Sequence, residues 1–171
     1  QTEQNFRVWI VDDGSTDGTA ECISREFGGA LNLAVLPGSG SLFWGGAIAL
    51  GMEAVLAAHG DEDLMLTLNN DVILPPDFIQ VAAELVARYP NSAIGGLSYD
   101  NCENGRVEVS GWRLVCWPLA LTKRVWWPMR AQEVARLADE VADVDFLRGT
   151  AVCVPAALVR RAGPVDGSRL P

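Results

Sequence analysis

Apolar positions along the chain gather into short runs that break off in small polar residues, and this rhythm repeats. Phe6 to Val11 is apolar and β-branched and reads as a strand, ending in Asp12-Asp13-Gly14-Ser15-Thr16-Asp17-Gly18-Thr19. Ala20 to Phe27 reads as a helix, with Asp17 or Thr16 placed to cap it. Leu31 to Leu36 is a second strand, leading through Pro37-Gly38-Ser39-Gly40-Ser41 to Leu42-Phe43-Trp44-Gly45-Gly46. From Ala47 to Ala58, Ile48, Leu50, Met52, Val55 and Leu56 recur at helical spacing. His59 reads as a helix-end residue rather than a ligand, because metal sites need partners nearby.

After a charged connection at Asp61-Glu62-Asp63 comes Leu64-Met65-Leu66-Thr67-Leu68. Its unbroken apolar character predicts a strand covered on both faces, with Asn69-Asn70-Asp71 at its carboxyl end. Pro75-Pro76-Asp77 opens a helix with proline in the first turn. Phe78, Val81, Ala82, Leu85, Val86 and Tyr89 form one face of it before Pro90 and Asn91 stop it. Ala93 to Leu97 is a further strand. The order β-α-β-α-β-α-β predicts an α/β fold, a mostly parallel sheet with helices on both faces.

From Tyr99 to Met129 the pattern changes to short alternating pieces, Arg106 to Ser110 and Trp112 to Cys116, which predict an antiparallel section. Trp112, Trp117, Trp126 and Trp127 are interleaved there with Arg113, Lys123, Arg124 and Arg130. Such a surface suits an acceptor sugar or peripheral contact with a membrane headgroup region. The favoured expectation is a hairpin whose indoles fill the edge of the core, since tryptophan is usually well buried. Val144 to Leu147 and Ala151 to Val154 read as strands around Arg148-Gly149-Thr150. Pro155 begins a last helix through Arg161, closed by Gly163 and followed by a polar tail.

Composition narrows the function classes. The 171 residues, 49% of them hydrophobic, predict one domain with a sizeable core. A net charge of −9 opposes any general affinity for nucleic acid. It does not oppose a nucleotide, whose phosphates one metal and a helix amino end can handle. Cys22, Cys102, Cys116 and Cys153 are scattered, so free buried thiols in a reducing compartment are expected. No apolar run is long enough to span a bilayer and no secretory leader is visible. The expected location is the cytoplasm, extending to the inner face of the membrane.

Two strand ends carry the candidate chemistry. Ligands of open α/β sheets bind outside the carboxyl ends of the strands. A carboxylate at Asp12 or Asp13 can accept from the imide N–H of uracil or thymine, or from ribose hydroxyls. Asp71, flanked by Asn69 and Asn70, suits a hard cation with oxygen ligands, Mg²⁺ or Mn²⁺, carrying a substrate's phosphates. The plainer role of Asn and Asp there is to close a turn. Two such clusters, on neighbouring segments, favour a shared nucleotide pocket. The glycines fit neither a P-loop, since Gly46 and Ala47 stand where Lys and Ser or Thr belong, nor a Gly-x-Gly-x-x-Gly fingerprint. They predict a flexible loop running into a helix amino terminus, with Gly45 and Gly46 allowing close approach by a ligand. Trp44 can stack on a sugar, though packing is the commoner fate of tryptophan.

With these residues in view the chain resembles the family 2 glycosyltransferases of GT-A fold. Val11-Asp12-Asp13-Gly14-Ser15-Thr16-Asp17-Gly18-Thr19 matches their nucleotide-base turn nearly residue for residue. Leu42-Phe43-Trp44-Gly45-Gly46-Ala47 is similar to a loop–helix that covers the sugar-nucleotide in one branch. Leu68-Asn69-Asn70-Asp71-Val72 stands where the metal-binding Asp-x-Asp motif belongs, with Asn69 in place of the first Asp. Leu147-Arg148-Gly149-Thr150-Ala151 resembles the strand lining the acceptor side. The resemblance implies inverting transfer of a sugar from a UDP- or dTDP-linked donor to a hydroxyl of a glycan or lipid-linked acceptor. It implies nucleotide contacts from Asp12, Asp13, Gly14, Ser15, Asn70, Gly45 and Gly46, and a divalent cation on Asp71 and Asn69. Trp44, Arg148, Gly149 and Thr150 fall on the acceptor side. Family members carry an earlier strand and helix, and a later acidic motif supplies the catalytic base. The chain therefore reads as an internal piece, with its base expected past Pro171; Asp143 and Asp145 are weak candidates. The rival expectation is a sugar-nucleotide-binding module without catalysis. A nucleotidyltransferase would carry a basic, Gly-rich activating loop, and none is visible.

Overall fold

A computed structural model describes residues 1–29, 32–99, 105–109, 111–137 and 141–163. The chain divides into two compact units. One comprises Gln1–Met65, Leu74–Ser92 and Val154–Pro171, and the other Leu66–Ile73 and Ala93–Cys153.

In the first unit, β1 (Val8–Asp12) pairs in parallel with β2 (Leu33–Pro37), Val8 opposite Leu33 and Asp12 opposite Pro37. Helix α1 (Thr19–Phe27) joins them. Helix α2 (Phe43–Ala58) lies against β1, where a Cβ on Gly51 would come 3.4 Å from Val11. The core is Met65, Val154 and Val159, with Met52, Val55, Leu56 and Leu158 packed on it. The carboxyl end of α2 is closed by the final helix, α5 (Ala156–Ala162). Arg160 donates from Nη2 to the carbonyls of Leu56 and His59 at 2.8 and 2.6 Å, and from Nε to Asp61 at 2.7 Å. A guanidinium there satisfies orphan carbonyls and faces the negative end of the helix dipole. His59 is the C-cap of α2, as expected for a helix-end residue, and its Nδ1 lies 3.5 Å from Asp63. Helix α3 (Phe78–Arg88) buries Ala82 and Val86. Asp77 is its N-cap, so both prolines precede the helix rather than sitting in its first turn.

The boundary between the units falls within β3 (Leu64–Leu68) and β9 (Ala151–Pro155). In the second unit β9 lies between β3 and β4 (Ile94–Gly95). β4 runs antiparallel to β9, Ile94 opposite Cys153. The expected mostly parallel sheet is thus replaced, among the described residues, by small sheets of both kinds in a mixed α/β fold. Ala93–Leu97 shrinks to two strand residues. β5 (Ser98–Tyr99) pairs antiparallel with β6 (Val107–Val109), and β7 (Trp112–Cys116) with β8 (Leu121–Arg124). The antiparallel section is present, but its two predicted pieces have separate partners. Among the described residues Val144–Leu147 forms one bridge, Phe146 opposite Trp112 on the edge of β7 not used by β8, and the Leu114 amide of β7 is taken by the Asp145 carboxylate. Helix α4 (Ala131–Val134) is a single turn, with the Glu133 carboxylate accepting the Arg130 amide at 2.7 Å.

Burial departs from expectation in three places. Leu64 and Leu68 are each 41% exposed, so β3 is not covered on both faces. Trp117 and Trp127 lie largely in solvent rather than in the core edge. Cys22 is exposed, Cys116 half-buried and only Cys153 buried; Cys102 lies outside the described residues. Burial pushes the Cys153 thiol up to about 11, and raises the Tyr99 hydroxyl as well.

Candidate functional site

Asp12 is the last residue of β1. Its Oδ1 accepts the Ser15 amide at 3.0 Å, the local bond that makes Asp favourable in a turn. This is the one hydrogen bond its carboxylate makes among the described residues, so Oδ2 stays open.

Asp13 reaches across the chain. Its Oδ1 accepts the Gly40 amide and its Oδ2 the Leu42 amide, each at 2.7 Å. The Gly38 amide donates to the Asp12 carbonyl at 2.7 Å. Three short bonds thereby pin the turn after β1 to the loop after β2. Two glycines let the loops touch. A Cβ on Gly38 would lie 2.5 Å from Asp13 Oδ1 and 2.9 Å from its Cα. A Cβ on Gly14 would meet Gly40 Cα at 3.1 Å, and its φ of +79° disfavours any side chain. Asp17 accepts both the hydroxyl and the amide of Thr19, at 2.6 and 3.1 Å, and the hydroxyl bond foremost holds its carboxyl below the usual range. The N-cap position itself is Gly18, one residue later than Asp17 and two later than Thr16.

The Asp13 brace explains why α2 begins four residues before the predicted Ala47. With the Leu42 amide fixed, the first turn forms at once, and the Gly46 amide donates to the Leu42 carbonyl at 3.1 Å. Gly45 and Gly46 therefore sit in the first helical turn, Gly45 buried, and not in a flexible loop. Phe43 adopts φ +53°, a strained value for a bulky side chain, and is 75% exposed. Trp44 beside it is half exposed rather than packed inside.

In the second unit β3 stops at Leu68, so Asn69-Asn70-Asp71 does stand at a strand's carboxyl end. The Asn69 amide donates to the Thr150 carbonyl at 3.1 Å, and Thr67 Oγ1 donates to the Val152 carbonyl at 3.4 Å. Asn69 and Thr150, predicted for different jobs, are thus neighbours. Asn70, Asp71 and Arg148 are exposed, and neither Asp71 nor Arg148 joins an ion pair among the described residues. Gly149 is half-buried. The Asp145 carboxylate accepts the Leu114 amide at 2.7 Å, and the Asp143 carbonyl accepts from Arg113 Nε at 2.7 Å. Among the described residues no three His, Cys, Asp or Glu side chains cluster as a metal cage.

Sequence reading missed the loop-to-loop brace. Its only trace is the Gly38-Ser39-Gly40 spacing after a strand, which signals a tight loop but not what it touches.

Comparison with curated proteins finds no match, and comparison with solved structures finds none. A family model does match, over residues 1–148, a span that includes the pinned loops, Asn69-Asn70-Asp71 and, as its final residue, Arg148. On that match, covering most of its length, the chain belongs to glycosyl transferase family 2 and is a glycosyltransferase enzyme.

Proposed function

We propose that the chain transfers a sugar, with inversion, from a nucleoside diphosphate sugar to an acceptor hydroxyl, on the GT-A fold that family membership implies. The observation carrying this reading is the asymmetry of the two neighbouring carboxylates. Asp13 is spent on main-chain amides, whereas Asp12, at the end of β1, keeps one oxygen open. That oxygen accepts the imide N–H of the base or a ribose hydroxyl. The brace keeps the surrounding turn rigid, so little ordering entropy is lost on binding.

Family 2 enzymes often use a divalent cation, and the chemistry of the donors here fits one that keeps most of its waters. Mg²⁺ binds through one or two carboxylates plus substrate phosphates rather than in an all-protein cage. Asp71, exposed and outside any described ion pair, would hold it, with the Asn69 side-chain oxygen beside it. The cation would supply neutralisation of the charge developing on the leaving diphosphate. Asn70 serves ribose or phosphate. Trp44, Arg148 and Thr150 serve the acceptor side. Asp145 is a poor base for the acceptor, since its carboxylate is held by a strand amide.

Calorimetry with UDP and dTDP, with and without Mn²⁺, tests the assignment. Asp12→Ala is expected to weaken binding in both conditions, and Asp71→Ala to remove only the metal-dependent part. Unaltered affinity in both variants would refute it.

A further inference from the structure

The β7–β8 hairpin carries a surface that sugar transfer does not call for. Its tip is a short turn, Trp117–Leu119, closed by Ala120 at φ +48°. Val115, Trp117, Leu119 and Leu121 stand 66%, 78%, 68% and 53% exposed around it. These four exposed apolar residues fall within seven positions of one another at the end of a two-stranded ribbon.

The charge around the patch is equally uneven. Between Glu108 and Glu133 there is no acidic residue, and Arg113, Lys123, Arg124 and Arg130 fall there. Along the sequence this stretch carries +4 in a chain of net charge −9, with the Asp145 carboxylate held at the Leu114 amide of β7 and that of Glu133 at the Arg130 amide. Arg113 and Lys123 are directly opposed across the ladder. Like charges in that position are destabilising, and Arg113 donates from Nε to the Asp143 carbonyl, while Lys123 is exposed. Arg124 is stacked between Trp112 and Trp127, 5.6 and 5.4 Å from the ring centres.

We propose that the hairpin tip is a membrane-surface anchor for anionic bilayers. Trp117, Leu119, Val115 and Leu121 enter the boundary between headgroups and acyl chains. Lys123 stands two strand residues from Leu121, about 7 Å back along the ribbon. Interfacial anchors sink about 5–10 Å, which puts that ammonium at the level of the lipid phosphates. Tryptophan prefers this interface because its ring is apolar and its N–H polar.

The test is co-sedimentation of the full chain, without nucleotide or donor, with vesicles of phosphatidylglycerol and phosphatidylcholine, against phosphatidylcholine alone. Because no nucleotide is present, its outcome is independent of the assignments of Asp12 and Asp71. Binding is expected only to the anionic vesicles and to fall at high salt. Trp117→Ser with Leu119→Ser is expected to weaken it about tenfold or more, and Lys123→Gln about fivefold. All three side chains are exposed, so the circular dichroism and melting of the variants should match the parent. Quenching of fluorescence by brominated acyl chains is expected in the parent and lost in Trp117→Phe. The proposal is overturned by absence of binding to anionic vesicles at low salt, or by binding indifferent to the tip substitutions. It is also overturned by lipid-free self-association that the double substitution abolishes, which would assign the tip to a second copy of the chain.

Discussion

Replacing Asp13 by alanine separates a structural carboxylate from the one proposed to bind the nucleotide, two atoms of backbone away. The substitution deletes two charge-assisted bonds, to the Gly40 and Leu42 amides at 2.7 Å. Hydrogen bonds to a charged group contribute about 1.5–3 kcal/mol each. The Gly40 bond is exposed and the Leu42 bond half-buried, so the low end applies, roughly 2–4 kcal/mol together. For a chain of this size that lowers the melting temperature by about 5–15 °C. Asp13→Asn keeps one acceptor oxygen and is expected to lose about half as much. Asp12→Ala removes one local turn bond, about 1 kcal/mol, together with the open oxygen proposed to meet the nucleotide. Urea denaturation and nucleotide calorimetry on the three variants therefore give opposite rankings. Asp13→Ala should be the least stable protein, and Asp12→Ala the weakest binder under conditions where both are folded. An Asp13→Ala protein as stable as the parent, with affinity lost at its full denaturation midpoint, would refute the brace.

Arg160→Ala is expected to lower stability by about 2 kcal/mol, because it unpairs two carbonyls at the end of α2 as well as Asp61; an unchanged midpoint would contradict this. Alkylation at neutral pH should label exposed Cys22 in the native protein and Cys153 only after denaturant, read by mass spectrometry of peptides. Cys153 also sets a pH dependence. Its folded pKa of about 11 lies above the unfolded 9.0, so the folded state keeps the thiol proton longer. Its contribution is complete below pH 9.0 and is lost as pH rises through about 11; Cys153→Ala should flatten that part of the stability curve.

Much of this protein was written locally. The strand end at Asp12, the polar stop after Leu68, the helix over Phe78–Arg88 and the Gly163 cap at φ +89° follow from side chains acting on their own backbone. Turn and cap chemistry needs only near neighbours, so the two acidic strand ends could be placed from residue order alone. Tertiary structure decided what distant residues compete for. Asp13 is a brace because its partners lie 27 and 29 positions away, and nothing in Asp-Asp-Gly says which of the two carboxylates will be spent. β4 runs antiparallel to β9, and β7 pairs with β8 after it while β6 before it pairs with β5, choices among partners that the strand pattern alone leaves open. Tryptophan burial is likewise not a property of tryptophan. Trp117 ended in solvent because a two-stranded ribbon has no second layer to cover its tip.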